Sequence, residues 1–191
     1  MNYKVIVIGC SAGGIEALSR LLEQFPANFR CPIIIVQHLP SDTPSHIVPV
    51  LQRHSRIPVS HPIHQQVMEE GNIYIAPTGS HLLIMDGFFR QDDGPKDNRV
   101  RPSIDHLFKS AAISYSEAVV GVILTGLLYD GADGLAAIKS KGGTTIVQDP
   151  EEAQFSSMPL AAIEKTAVDS ILRLDMIVPR LLELCPEVRA A

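Results

Sequence analysis

Three short stretches of the chain carry side chains able to do hydrolytic chemistry. Gly9-Cys10-Ser11-Ala12-Gly13-Gly14 sits between an apolar run and residues at helical spacing. Its first five positions match G-x-S-x-G, the tight strand-to-helix turn that lifts a serine hydroxyl above the edge of a sheet. Two phosphate-binding readings of the same glycines fail on residue type. A dinucleotide fingerprint needs glycine at position 11 and an acid after the second strand, where this chain has Ser11 and Gln37-His38; a Walker A loop needs a terminal Gly-Lys-Ser/Thr, which is missing. A glycine-rich turn capped by a serine, with no chemistry, is the bland alternative.

A serine hydroxyl is a weak nucleophile until a base takes its proton, so the question is which imidazole reaches Ser11. Of the seven histidines, His46 and His54 lie in a helical segment, His61 and His64 in a Pro-flanked extended stretch, His81 in a hairpin and His106 in a helix. Surface or packed imidazoles are expected at those six. His38 differs, because it ends the strand that follows the first strand-helix unit, and a right-handed crossover sets that strand beside the first. The third member should be a carboxylate at another strand end, orienting the imidazole and stabilising its charged form. Asp130 follows the most apolar strand of the chain; Asp133 is its rival, though it also suits a first-turn acid at a helix N-terminus. The chain order Ser, His, Asp is not the Ser, Asp/Glu, His order of α/β-hydrolases, so that fold is not expected.

The elements that must position these residues are legible in the apolar pattern. Lys4 to Ile8, Ile33 to Val36, Ala118 to Leu124 and Thr144 to Gln148 read as buried strands; the segments from Ile15, around Ile47 to Leu51, Ser103 to Tyr115, Gly131 to Lys141, Met158 to Lys165 and Met176 to Leu184 read as helices. Between Val59 and Arg90 the texture changes to short strands, Asn72 to Ala76 and His81 to Met85, with hairpin chemistry at Asp86-Gly87. Gln91 to Arg101 reads as a polar surface loop. The expected fold is α/β and doubly wound: a mainly parallel sheet with helices on both faces and an antiparallel hairpin excursion. Ligands of such folds bind at the carboxyl ends of the strands, where Ser11, His38 and Asp130 stand.

Composition narrows the class of protein. With 191 residues, 46% hydrophobic and 19% charged, the chain is expected to form one domain over residues 1–191. Its 16 basic residues against 21 acidic ones, without a basic block, lack the footprint of a nucleic-acid binder. Apolar runs stop far short of the roughly 20 residues that cross a bilayer, and no signal peptide is visible. Three scattered cysteines, Cys10, Cys31 and Cys185, make no disulfide framework and fit a reducing compartment. A cytoplasmic location is expected.

The segments VIGCSAGGIEAL (Val7 to Leu18), VQHLP (Val36 to Pro40), IYIAPTGSHLL (Ile73 to Leu83), RPSIDHLF (Arg101 to Phe108), GVILTGLLYDGADGLAAIKSKGGTTIVQDP (Gly121 to Pro150) and MPLAAI (Met158 to Ile163) together resemble the catalytic domain of the chemotaxis receptor methylesterases, the CheB family. That resemblance implies Ser11 as nucleophile, His38 as general base and Asp130, not Asp133, as the orienting carboxylate. It implies hydrolysis of γ-glutamyl methyl esters on the cytoplasmic helices of receptors, with glutamine deamidation in many members, and neither a metal nor an organic cofactor. The backbone N–H of Ala12, at a helix N-terminus, is the natural first donor to the oxyanion, and the backbone near Leu127 is the expected second. A catalytically weak or silent domain that binds signalling proteins is the alternative of a different class. The chain departs from the family pattern in three places. Ser11-Ala12-Gly13-Gly14 stands where the family usually has Ser-Thr-Gly-Gly, and Leu127-Leu128-Tyr129-Asp130-Gly131 where it usually has Met-Gly-Asn-Asp-Gly. The N-terminal receiver of the chemotaxis enzymes, about 120 residues long, is not in this sequence, so control by phosphorylation within this chain is not expected, and a separate regulatory protein is a candidate partner.

Overall fold

The computed structural model describes residues 4–39, 46–97 and 99–186. In chain order the first half holds β1 (Val5–Cys10), α1 (Gly14–Leu22), β2 (Ile33–Gln37), α2 (Ile47–Gln52), β3 (Val59–Ser60), β4 (Ile73–Ile75), β5 (His81–Met85) and β6 (Phe88–Asp92). The second half holds α3 (Ile104–Tyr115), β7 (Val119–Ile123), α4 (Ala132–Ser140), β8 (Thr144–Gln148), α5 (Ser157–Lys165), β9 (Ser170–Leu172) and α6 (Leu174–Leu184). Seven strands form one parallel sheet in the order β3-β4-β2-β1-β7-β8-β9.

The unbroken apolar strands are explained by burial on both faces. Ile6, Ile8, Ile33 and Ile35 pack with α1, α2 and α6, while Val5, Val7, Ile34 and Val36 pack with α3, α4, α5 and the hairpin. From β1 the chain moves to β2, then to β3 at the edge and back to β4 between them, and later adds β7, β8 and β9 on the other side of β1. The reversal puts the topological switch at the carboxyl ends of β1 and β7, where open α/β sheets form their ligand crevice.

The expected hairpin is β5–β6, antiparallel, with Met85 opposite Phe88. Asp86 and Gly87 both have positive φ, 50° and 88°, as a two-residue type I′ turn requires. The excursion is narrower than the sequence texture suggests, because β3 and β4 join the parallel sheet. The polar stretch from Gln91 begins as the end of β6, and its loop is tied down: Arg101 Nη1 donates to the carbonyls of Asp93 and Gly94. The β9 edge strand has no counterpart in the sequence reading. The last residue of the VQHLP segment, Pro40, lies outside the described residues. None of the three cysteines is in a disulfide. Among the described residues no helix is long and apolar enough to cross a membrane.

Candidate active site

Ser11 and His38 follow immediately after Cys10 and Gln37, which are register partners on neighbouring parallel strands. Such strands lie about 4.8 Å apart, so the two residues leave the sheet side by side. The His38 N–H donates to the Cys10 carbonyl at 3.1 Å, and the Ser11 N–H to the Thr125 carbonyl at 3.1 Å, which ties the serine turn to the end of β7 as well. Gln37 holds the two strand ends together. Its buried amide Nε2 donates to the carbonyls of Ser11 and His38, both at 2.8 Å, and its Oε1 accepts from Cys10 Sγ. This tether explains the paired glycines. Gly13 turns the chain at φ 75°, and a Cβ on Gly14 would overlap Gln37 Oε1.

Asp130 lies 4% exposed behind His38, its Oδ2 2.9 Å from His38 Nε2. The same carboxylate receives the free N-terminal donors of α3: Ile104 N–H at 2.7 Å, Asp105 N–H at 3.2 Å and the Ser103 hydroxyl at 3.0 Å. First-turn N–H groups have no partner within a helix, and they carry the positive end of its dipole. Burial pushes the Asp130 carboxyl up, but the His38 hydrogen bond and these N–H donors outweigh it and hold its pKa below the ordinary value. Asp130 is therefore an anion built to fix an imidazole.

The arrangement is reciprocal. Asp105, itself in the first turn of α3 and buried, accepts from Gly131 N–H at 3.1 Å and Gly134 N–H at 2.6 Å at the start of α4. Each helix start is thus capped by an aspartate from the other. Asp105 makes no salt bridge among the described residues, and burial, partly offset by the Gly134 N–H, together with the neighbouring Asp130 charge raises its pKa to about 6. Behind Ser103, buried His81 accepts the Ser103 N–H at Nδ1 and donates from Nε2 to the Pro95 carbonyl, and its ring stacks on His106 at 4.0 Å.

The structure thus brings His38 and Asp130 into direct contact and sets Ser11 beside them, without a hydrogen bond between Ser11 Oγ and His38. Asp133, the rival acid, is half-exposed and paired with Lys165 at 2.6 Å. The backbone N–H groups of Ala12, in the serine turn, and of Leu127, in the loop after β7, have no acceptor among the described residues. His54, His61 and His64 are engaged elsewhere, with Glu23, the Ile75 carbonyl and the Gln91 N–H respectively. Sequence reasoning missed Gln37, Ser103, Asp105 and His81. Ser103 carries a readable helix-start signal; the other three act through contacts between elements distant in sequence. Among the described residues no group of three or more His, Cys, Asp or Glu side chains is arranged to hold a metal ion.

Fold and site together define a doubly wound α/β protein whose switch-point crevice holds a serine turn backed by a His–Asp pair. The chain belongs to the CheB methylesterase family, whose model matches residues 6–181. It is 43% identical over 93% of its length to a Leptospira interrogans protein provisionally named protein-glutamate methylesterase/protein-glutamine glutaminase, covering 92% of that protein. It is 40% identical to protein-glutamate methylesterase/protein-glutamine glutaminase 2 of Anaeromyxobacter dehalogenans over 96% of this chain, but spans only 54% of that relative. The crystal structure of the Thermotoga maritima CheB methylesterase catalytic domain superimposes with a TM-score of 0.91 at 34% identity, covering 96% of this chain and 100% of that one.

Proposed function

We propose that the chain is a serine hydrolase that removes methyl esters from glutamate side chains of chemoreceptor-like proteins in the cytoplasm. By the same chemistry it would deamidate glutamine. The observation that carries this reading is the 2.9 Å contact between His38 Nε2 and Asp130 Oδ2 next to the serine turn. An anionic Asp130 accepts the Nε2–H, which leaves Nδ1 as the basic nitrogen to serve Ser11. The two ring nitrogens thereby exchange the roles they have in the serine proteases, where the aspartate holds Nδ1–H.

The reaction follows from that assignment. Ser11 Oγ attacks the ester carbonyl as His38 Nδ1 takes its proton, and the N–H groups of Ala12 and Leu127 receive the oxyanion. Collapse expels methoxide, which leaves as methanol with the proton from His38. Water then attacks the acyl-serine with His38 again as base, releasing the glutamate carboxylate and free Ser11. A methylated receptor helix is the proposed substrate, and a separate regulatory protein the proposed control. Neither a metal nor an organic cofactor has a part in these steps.

A second reading, a signalling-protein binding domain with an idle triad, draws on the missing Ser11 Oγ–His38 hydrogen bond. Such bonds are often long before substrate arrives, so that feature is compatible with turnover. A serine-directed fluorophosphonate separates the two readings. Stoichiometric labelling at Ser11 that disappears in His38→Ala fits the hydrolase, and an inert Ser11 fits the binding domain.

A further inference from the structure

The loop from β7 to α4 is anchored at both ends to the site. At its start, a Cβ on Gly126 would stand 3.0 Å from Ser11 Cβ, so the Gly126 backbone lies directly against the serine. At its end, Asp130 is bonded to His38. Only Leu127, Leu128 and Tyr129 span the gap between these anchors, which places them beside the serine turn and the His38–Asp130 pair. All three are exposed, at 49%, 64% and 54%. Residues 125–129 (Thr-Gly-Leu-Leu-Tyr) carry no charge.

Leu128 also adopts φ 66°, the left-handed region where a Cβ is disfavoured and which glycine or asparagine would occupy more readily. Its side chain, mostly in solvent, recovers little by packing within the chain. A strained residue beside a reactive centre, with no internal compensation, points to a role toward a ligand.

We propose that Leu127, Leu128 and Tyr129 form an apolar selectivity surface that favours protein substrates with an apolar residue flanking the esterified glutamate. This rests on the methylesterase reading given above. The partner is recognised by that flanking side chain, which leaves water against Leu128 and Tyr129 when the ester carbonyl reaches Ser11. An acidic flanking residue would have to shed water against the same uncharged surface.

The test compares two helical peptides, each with one γ-glutamyl methyl ester, differing only in leucine or aspartate at the flanking positions. For the wild type, kcat/KM should favour the leucine peptide by roughly tenfold, the low end of what one matched apolar contact supplies. Leu128→Asn, which keeps a residue tolerant of the left-handed turn, and Tyr129→Ser should each bring that ratio close to one. The ratio is the readout because disturbed placement of Asp130 would slow both peptides equally and leave it unchanged. Ile113→Asn, at an exposed apolar position near the far end of α3, should leave the ratio at its wild-type value. A wild-type ratio near one, a ratio that survives both loop variants, or an equal fall in Ile113→Asn would overturn the proposal. Turnover of a small activated ester by the wild type marks the difference between failures: with it, a flat ratio refutes the surface alone; without it, the hydrolase reading falls and takes the surface with it.

Discussion

At the scale of single residues, the account depends on Ser11, His38 and Asp130 acting as a unit. Ser11→Ala and His38→Ala should each lower kcat by on the order of a million-fold, and Asp130→Asn somewhat less, with double variants hardly worse than the worst single one. Asp133→Asn should change little, since Asp133 is half-exposed and paired with Lys165; steady-state methanol release by the four single variants checks this. That Ser11, His38 and Asp130 meet at one rim of the sheet was legible because their types are restricted and each ends or follows an apolar run. Gln37 was not: a glutamine closing a strand carries no sign that its amide will bridge two carbonyls and fix the spacing of Ser11 and His38. Gln37→Leu should cost about 1–2 kcal/mol of folding stability by removing the amide donor from the half-buried Ser11 and His38 carbonyls, of which the Ser11 carbonyl keeps the Gly14 N–H. It should also lower kcat more than it raises KM, a split that a purely structural loss would not produce. Urea unfolding and kinetics on the same preparation supply both readings.

At the scale of elements, the site is a junction of two helix starts. Because α3 and α4 cap each other through Asp130 and Asp105, anything that loosens one start moves the acid that holds His38. The two carboxylates respond oppositely to pH. Asp105 has its folded pKa raised to about 6 from an ordinary 3.8, so its favourable contribution is complete below about pH 4 and is lost as pH rises through 6. Asp130 is lowered, so its contribution is present above the ordinary carboxylate value and is lost only as pH falls below it. Asp105→Asn keeps an oxygen for the Gly131 and Gly134 N–H groups without the buried charge. It should match the wild type near pH 4 and gain on it by on the order of 2–3 kcal/mol by pH 7. Urea titrations at the two values test the sign; a variant that loses ground as pH rises would contradict it. Strands and helices of the centre were legible from periodicity, because unbroken β-branched runs have few other uses. β3 and β9, of two and three residues at the sheet edges, are too short for any period to register. The mutual capping could not be read either, since it joins residues about 26 positions apart.

At the scale of the whole molecule, the winding order does the work of bringing three distant segments to one crevice. The sheet reverses at β1, so Ser11, His38 and Asp130 come from three adjacent strand ends, β1, β2 and β7, although 92 positions separate His38 from Asp130. Strain is kept where this crevice meets solvent. Leu128→Gly should raise stability by about 1 kcal/mol, because the left-handed backbone no longer opposes a Cβ; a rise in the urea midpoint at unchanged slope would show it. The central claim, that this chain hydrolyses glutamyl methyl esters through Ser11, is met most directly by following methanol released from a methylated receptor cytoplasmic fragment by wild type and by Ser11→Ala. The account predicts release by the wild type and none above background by the variant. Equal release from both, or none from a folded wild type, would contradict it.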